Sequence, residues 1–239
     1  MVEIIREGNY EILTPLNWLS QYLLLIERAG RTCYQSYQGE INQETASKFT
    51  RMLIKREHFS VLEHSLLTVK FDNCSRGFTH ELVRHRLMAI SQESTRYVDY
   101  SAGSNELNLE GINIKFIVPP HRDENEPFEL PDGSKMSIRE MATKIETFYK
   151  ALRQGGLKPE DARQILPNGL KSEIVVSCNF REWRHIFYMR TARPAHWEIR
   201  RVMCELLREL KNIIPVMFED FVEDTPDSNG VTCFKQIKL

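Results

Sequence analysis

Several features that would mark a secreted, membrane-spanning or zinc-binding protein are missing from this sequence. The five cysteines are odd in number, widely scattered and free of any C-x-x-C spacing, which argues against a disulfide framework and a zinc ribbon. No apolar run approaches the length of a bilayer span, and no basic segment followed by an apolar core opens the chain. The sequence therefore predicts a soluble protein of the reducing cytoplasm.

An excess of positive charge is missing as well. The 239 residues carry a formal net charge of -1 at pH 7, whereas a general binder of nucleic acid or of membrane surfaces would be expected to be strongly basic. The chain contains no internal repeats or low-complexity tracts, and it is long enough to bury a sizeable core. We expect one domain covering residues 1–239, with no nucleic-acid or membrane partner.

The hydrophobic patterning alternates between helical and strand periodicity. Asn42 and the Ser137/Glu140 pair provide N-terminal caps for two of the helices, and Gly30 is expected to end the first helix. A surface loop without assigned function is predicted at 121–135. By themselves these patterns support a mixed α/β protein. Strands are predicted at 2–4, 10–12, 65–71, 111–118 and 172–178, and helices at 16–29, 42–57, 75–86, 137–154, 159–167, from about 179, and at 195–213.

Residues 84–96 concentrate anion-binding groups among apolar neighbours. The segment holds three arginines, a histidine and three hydroxyls. Because it begins in the last turn of the predicted helix 75–86, the helix dipole alone would favour some positive charge there. Ser91, Ser94 and Arg96 follow in a polar, turn-like stretch that is able to wrap a phosphate. We therefore predict an anion-binding site in this segment.

A second candidate site lies in the helix after Asn179. The apolar line of Trp183 and Phe187 leads to Arg190, and a guanidinium on an apolar stripe is costly unless it meets an anion. A partly exposed salt bridge is the alternative interpretation. The other face of the helix offers Arg181 and His185 together, a pair suited to a pyrophosphate.

Metal binding and covalent catalysis are both disfavoured by residue spacing. His80 and His85 are five apart on the predicted helix and do not converge, and the sequence has no H-E-x-x-H pattern, so no metal site is expected. Ser94 lacks an obvious triad setting. Cys178 follows an apolar strand and is interpreted as an inert buried thiol.

Two blocks of sequence resemble a known family. Arg84-His85-Arg86, followed after seven residues by Ser94, resembles the signature of the flavin-dependent thymidylate synthases, the ThyX family. Asn179-Phe180-Arg181, followed by His185 and Arg190, resembles the other flavin and nucleotide helix of that family. Further similarities extend from about residue 29 to about residue 221. They include Phe59-Ser60, Glu63-His64 and Ala162-Arg163-Gln164-Ile165-Leu166-Pro167.

The resemblance implies an α/β (α+β) fold with a central, largely antiparallel sheet and flanking helices. It also implies reductive methylation of dUMP: methylenetetrahydrofolate donates the one-carbon unit, NADPH reduces FAD, and the products are dTMP and tetrahydrofolate. The family uses no cysteine nucleophile, so the cofactor carries the chemistry and the protein positions it. Members are homotetramers whose active sites combine several subunits.

The resemblance also assigns roles to individual residues. Arg190 is the expected catalytic residue, because a permanent cation facing the uracil would stabilise its ionised form. FAD is expected to contact Ser60, Arg84, His85, Arg86, Gln92, Asn179, Phe180, Arg181 and His185. The substrate dUMP is expected to contact Glu81, Leu82, Val83, Arg84, Gln92, Glu93, Ser94, Thr95, Arg96, Arg163 and Arg190.

The chain departs from the family pattern at four positions. Glu81 stands where some relatives carry Gln, and Gln92 stands where some carry Glu. Pro194 and His196 change a turn that contacts flavin or folate in the family. Two other functions are alternatives: a non-catalytic nucleotide- or RNA-binding module that uses the same arginines, and a metal-dependent phosphohydrolase.

Overall fold

The structure is a computed structural model that describes residues 2–101 and 114–239. Within these ranges the chain forms two compact units. The first unit comprises residues up to 9, 72–80 and 92–174, and the second comprises 10–71, 81–91 and 175–239. The expectation of a single domain over 1–239 remains a prediction.

Helices and strands alternate along the chain. The helices are α1 (Leu16–Tyr34), α2 (Gln43–Lys55), α3 (Arg76–Leu82), α4 (Ile138–Gln154), α5 (Pro159–Ala162), α6 (Phe180–Arg190), α7 (Trp197–Ile213) and α8 (Pro215–Phe218). The strands are β1 (Glu3–Ile5), β2 (Asn9–Ile12), β3 (Leu67–Ser75), β4 (Ala89–Gln92), β5 (Lys115–Ile117), β6 (Pro127–Glu129), β7 (Lys135–Ser137), β8 (Lys171–Cys178), β9 (Phe221–Asp224) and β10 (Cys233–Gln236). Two short 3₁₀ turns cover Phe59–Glu63 and Arg163–Ile165.

The largest sheet has four strands in the order β2-β3-β8-β4. It is a central antiparallel sheet with flanking helices, so the predicted fold class is confirmed. The predicted strands near residues 3 and 11 both exist, but β1 pairs in parallel with β5 while β2 joins the four-stranded sheet. Residues 111–113 of the strand predicted at 111–118 lie outside the described residues.

The first unit has its own hydrophobic core. Phe116 of β5 and Tyr149 of α4 pack with Tyr100 in a cluster of buried side chains. Helix α4 begins with the predicted capping box, in which Ser137 accepts from the Glu140 N–H and the Glu140 carboxylate accepts from the Ser137 N–H. These two bonds satisfy backbone donors that the first turn would leave unpaired.

In the second unit, α1 continues past the glycine that was expected to end it. A Cβ on Gly30 would lie 2.3 Å from Cε1 of Phe49 on α2, so the missing side chain lets that ring approach α1. Helix α1 ends at Tyr34, where Gln35 adopts a left-handed conformation with φ of 51°. The sequence prediction was wrong here because Gly30 serves helix packing and does not form a cap.

Helix α6 is anchored in the core of the second unit. Trp183 and Phe187 are fully buried, and the indole Nε1 of Trp183 donates to the Leu67 carbonyl over 3.0 Å. Arg184 and Asp220 form a buried ion pair over 2.5 Å. With one face fixed in this way, the opposite face of α6 is held at the surface.

Helix α3 is shorter than predicted. It ends at Leu82, so Arg84, His85 and Arg86 follow it in a turn and do not share helix faces with His80 and Glu81. The carbonyl of Glu81, which a longer helix would use internally, accepts instead from Nη2 of Arg190 over 2.9 Å. The Arg190 side chain, 109 positions away, therefore binds the Glu81 carbonyl that the next turn of a longer helix would have used.

Two hairpins were not predicted. The loop expected at 121–135 contains β6 and the first residue of β7, which pair in antiparallel register. Near the C-terminus, β9 and β10 form a second antiparallel pair, with Gln236 opposite Phe221.

Candidate functional site

The second unit contains a cavity of about 1000 Å³. Cationic, polar and apolar side chains all contribute to its walls. They come from the turn at 59–66, the segment 86–89, the end of β8, helix α6 and the last residue of β10. The lining residues are Phe59, Glu63, Ser65, Leu66, Arg86, Leu87, Met88, Ala89, Ser177, Cys178, Asn179, Arg181, Glu182, Arg184, His185, Tyr188 and Gln236.

Helix α6 presents one polar face to this cavity. Asn179 caps the helix by accepting from the Glu182 N–H over 2.9 Å, as expected of a residue before the first helical turn. Arg181, His185 and Tyr188 follow at helical spacing and all line the cavity. Of the two cationic groups predicted on this face, the Arg181 guanidinium pairs with Glu63 over 2.6 Å, and His185 is exposed.

The Arg-His-Arg turn supplies further cations. Arg84 and Arg86 are both exposed, and within residues 2–101 and 114–239 neither guanidinium forms a hydrogen bond or an ion pair. Arg86 lines the cavity. Its charge is therefore available to an anion.

Arg190, the predicted catalytic residue, lies at the C-terminal end of α6 and is held on three sides. Its Nη1 donates to Oε2 of Glu81 over 2.7 Å, its Nη2 donates to the Glu81 carbonyl over 2.9 Å, and its Nε donates to Nε2 of His85 over 3.0 Å. The alternative interpretation of Arg190 as a member of a partly exposed salt bridge is therefore realised in this structure. Two of its five N–H groups remain for other partners.

The contact with Arg190 decides the protonation of His85. An arginine Nε can only donate, so Nε2 of His85 must carry a lone pair, and the neutral ring carries its proton on Nδ1. Burial, together with the charges of Arg190 and His185, lowers the pKa of His85 to about 4. His85 is thus a neutral acceptor at physiological pH.

Cys178 lines the cavity as a buried thiol. Burial raises its pKa, and the nearby carboxylate of Glu182 raises the pKa further. At neutral pH Cys178 is protonated and is a poor nucleophile, as the sequence predicted.

The first unit holds the remaining predicted anion-binding residues. Nη1 of Arg163 donates to Oγ1 of Thr95 over 3.4 Å, and the backbone N–H of Arg96 donates to Oγ of Ser94 over 3.3 Å. Glu160, which was not predicted, brings the two arginines together: its carboxylate pairs with Arg96 over 2.7 Å, and its carbonyl accepts from Nε of Arg163 over 3.1 Å.

Gln92 and Glu93 of this unit bind protein groups. Nε2 of Gln92 donates to Oγ1 of Thr79 over 2.8 Å. The carboxylate of Glu93 accepts from the Tyr100 hydroxyl and lies 3.4 Å from Nζ of Lys171. Burial, and then Glu93, raise the pKa of Tyr100, so its hydroxyl remains the donor. These contacts fix the start of the Ser94–Arg96 segment.

Four other predicted site residues have different surroundings. The side chains of Leu82 and Phe180 are fully buried in the core, so only their backbone atoms could meet a ligand. Val83 is half-buried in the turn after α3, and Ser60 is exposed in the 3₁₀ turn. The expectation that Leu82 and Phe180 contact a ligand stays a prediction, and it now concerns their backbone atoms because both side chains are buried.

Sequence reasoning missed Glu160, Arg184 and Gln236. Glu160 follows Pro159 in the first turn of α5, three residues before Arg163, and this spacing was a usable signal. No local pattern marks Arg184 or Gln236, since both reach the cavity wall through the tertiary fold.

Neither a metal site nor a membrane-spanning helix is found in the described part of the chain. Across residues 2–101 and 114–239, no three His, Cys, Asp or Glu side chains are grouped to hold a metal ion. In the same part of the chain, no helix is both long and apolar enough to cross a lipid bilayer.

Comparison with known proteins identifies the class of protein to which this fold and site belong. A sequence profile described as "Thymidylate synthase complementing protein" matches residues 18–216. The chain is a member of this family, the ThyX family, as the two sequence blocks predicted.

Individual relatives agree with this assignment. The flavin-dependent thymidylate synthase of Mycobacterium marinum is 38% identical over 207 residues, covering 82% of this chain and 78% of the relative. That of Mycobacterium tuberculosis is 36% identical over 208 residues, with the same coverage. Among solved structures, the UMP/dUMP methylase PolB of Streptomyces cacaoi, bound with 5-Br dUMP, superposes with a TM-score of 0.67 at 21% identity over 91% of this chain and 95% of that one. This last likeness shows the shared fold.

Proposed function

We propose that this chain is a flavin-dependent thymidylate synthase. It converts dUMP to dTMP with methylenetetrahydrofolate as the one-carbon donor and NADPH-reduced FAD as the hydride donor. One observation carries the proposal. Both sequence blocks that resemble the family contribute to one cavity, Arg86 from the first and Asn179, Arg181 and His185 from the second. A non-catalytic module that binds only a nucleotide would not need a cavity of about 1000 Å³ beside these arginines.

The lining of the cavity fits FAD. Arg86 and His185 offer positive charge or N–H donors to a diphosphate, and Arg86 has no competing protein partner among the described residues. Leu87, Met88 and Tyr188 offer apolar surface to a planar ring system. When bound, FAD supplies the hydride. We propose that Ser60, Arg84, His85, Arg86, Gln92, Asn179, Phe180, Arg181 and His185 contact it, Phe180 through its backbone.

The Ser94–Arg96 segment supports phosphate binding. Glu160 contacts the guanidinium groups of Arg96 and Arg163, while the hydroxyls of Ser94 and Thr95 accept from the Arg96 N–H and from Arg163. Arginine forks and hydroxyl donors are the groups that proteins use to hold a phosphate. We propose that they bind the phosphate of dUMP. The other proposed contacts of dUMP are Glu81, Leu82, Val83, Arg84, Gln92, Glu93 and Arg190.

Arg190 is the proposed catalytic residue. His85 and Glu81 fix its guanidinium plane, and the two remaining N–H groups are available to a uracil oxygen. A cation held in place before the reaction stabilises the ionised uracil without reorganisation. The protonated thiol of Cys178 supports a reaction without a covalent enzyme adduct.

The proposal also covers the folate as one-carbon donor, NADPH as the reductant of the flavin, and the assembly of the chain. We infer a cytoplasmic homotetramer in which several copies of the chain contribute to each active site. The family assignment supports this inference.

An anaerobic reaction tests the proposal directly. The purified protein should be yellow, or become so with added FAD, and NADPH should bleach the flavin absorbance both with and without dUMP. Addition of methylenetetrahydrofolate should then yield dTMP only in the sample that contains dUMP. A colourless protein that fails to take up FAD would favour the nucleotide-binding module, and chelator-sensitive phosphatase activity would favour the phosphohydrolase.

A further inference from the structure

The last residue of β10 reaches the cavity described above. Gln236 is one of its lining residues, although it lies beyond residues 18–216, where the chain matches the family profile. The hairpin of β9 and β10 therefore adds a wall that the sequence blocks at 84–96 and 179–190 do not supply.

A buried carboxylate fixes the side chain of Gln236. Nε2 of Gln236 donates to Oδ2 of Asp220 over 2.7 Å, and the Ile237 N–H donates to the Asp220 carbonyl over 2.8 Å. Asp220 is only 2% exposed and is itself held by Arg184 through contacts of 2.9 and 2.5 Å. Gln236 is thus attached to a buried ion pair of the second unit.

This attachment determines which end of the amide is free. A carboxylate only accepts, so the nitrogen of the Gln236 amide must face Asp220 and its carbonyl oxygen must face away. Among the described residues no donor meets that oxygen. Because Gln236 lines the cavity, this unpaired oxygen is available as an acceptor to a ligand bound there.

The charges along the cavity wall decide what this acceptor can bind. Arg184 is neutralised by Asp220, so the Gln236 end carries no free positive charge, whereas Arg86 carries a charge without a protein partner among the described residues. A diphosphate, which only accepts, would favour the Arg86 side and avoid the Gln236 oxygen. An N–H or O–H group of a ligand would favour Gln236.

We infer that Gln236 is a FAD-binding residue that accepts a hydrogen bond from an N–H or O–H group of the cofactor, and that Asp220 is its positioning residue. This inference rests on the proposed function, because it assumes that the cavity takes FAD. It extends the cofactor site to a hairpin outside the family match.

The test compares Gln236→Met with Lys235→Met in the full-length protein. Methionine keeps the length of the side chain but loses both amide groups. Lys235 is the neighbour on the same strand, does not line the cavity, and among the described residues its ammonium pairs only with Asp224, over 3.5 Å. FAD and FMN are titrated into the flavin-free proteins, and the melting temperature of each flavin-free protein is measured.

We expect Gln236→Met to weaken FAD binding about three- to tenfold, as for the loss of one hydrogen bond, and Lys235→Met to bind like the wild type. An equal loss with FMN would assign the contact to the flavin or ribityl part, and a loss with FAD alone would assign it to the adenosine part.

Unchanged FAD binding by Gln236→Met, with or without a lower melting temperature, would overturn the inference, as would an equal loss in Lys235→Met. Failure of the wild type to bind FAD would overturn the proposed function as well.

Discussion

Arg190 shows how one side chain can satisfy both interpretations of its position in the sequence. The position of Arg190 on the apolar stripe of α6 predicted that it meets either an anion or a salt-bridge partner, and in the structure its guanidinium pairs with Glu81. That contact does not exclude an anionic ligand, because the guanidinium retains two free N–H groups. The Glu81 and His85 contacts define the direction in which those groups point.

Replacement of Arg190 by lysine should abolish most turnover and leave FAD bound. A lysine ammonium cannot reproduce the planar arrangement of donors to His85, the Glu81 carboxylate and the Glu81 carbonyl. We expect the rate of dTMP formation to fall by roughly 100-fold or more, with flavin absorbance retained.

Arg193→Lys is the matched control, since Arg193 is exposed and its guanidinium contacts Thr225 and the Pro226 carbonyl. Its turnover should be close to that of the wild type. Wild-type turnover in Arg190→Lys would remove Arg190 from the catalytic role.

His85 should make the stability of the protein depend on pH. Its pKa is about 4 in the folded chain and near the ordinary 6.5 in the unfolded chain. Between these values the unfolded chain binds more protons, so the free energy of unfolding should fall as the pH drops from 6.5 to 4, by up to about 3 kcal/mol from this residue. Well above pH 6.5, where the imidazole is neutral in both the folded and the unfolded chain, His85 should contribute no pH dependence.

Urea unfolding at a series of pH values measures this effect. His85→Gln should flatten the curve between pH 6.5 and 4, whereas replacement of the exposed His121 by glutamine should not. A curve for His85→Gln that remains parallel to the wild-type curve would contradict the assignment of a neutral, buried His85.

Helix ends were predicted where a side chain close in sequence caps the backbone. Asn42 and Ser137 both form the capping bonds that their positions predicted, and Asn179 caps α6 in the same way although no cap was predicted there. The helix ends that depend on contacts with residues distant in sequence were not predicted. Gly30 lies within α1 because of Phe49, and α3 stops at Leu82 where Arg190 binds the Glu81 carbonyl.

Removal of the Asn42 cap should weaken α2 measurably. Oδ1 of Asn42 accepts from the Glu44 and Thr45 N–H groups over 3.0 and 3.1 Å. Asn42→Ala should lower the free energy of unfolding by about 1 kcal/mol, and Asn42→Asp should retain it because a carboxylate accepts the same bonds. Chemical denaturation checks both values, and equal stability of the alanine and aspartate variants would show that the cap contributes nothing.

For the whole molecule, the sequence predicted the family and the fold class correctly. The expected single domain remains a prediction, and the two compact units of the described chain each hold some of the candidate residues. Arg84, His85, Arg181 and Arg190 belong to the second unit, and the Ser94–Arg96 segment belongs to the first. In the homotetramer that we propose, residues of different copies meet in one active site.

Mixed oligomers test this shared-site arrangement. Arg190→Lys and Arg163→Ala should each be inactive alone. If one active site takes these two arginines from different copies, oligomers formed by refolding the two variants together should contain some intact sites and should exceed the summed activity of the separate variants. No recovery in mixed oligomers verified by differential tags would place both arginines of a site on the same copy.

The sequence by itself determined the features that depend on neighbouring residues: the capped helices, the cationic Arg84–Arg96 segment and the polar face of α6. Only the tertiary structure decided which groups these residues meet. Arg190 and Glu81 are 109 positions apart, and Gln236 and Asp220 join a hairpin to the core. The physical reason is that a cap or a helix face is set within a few residues, whereas the partner of a charged or amide group depends on which distant segments pack beside it.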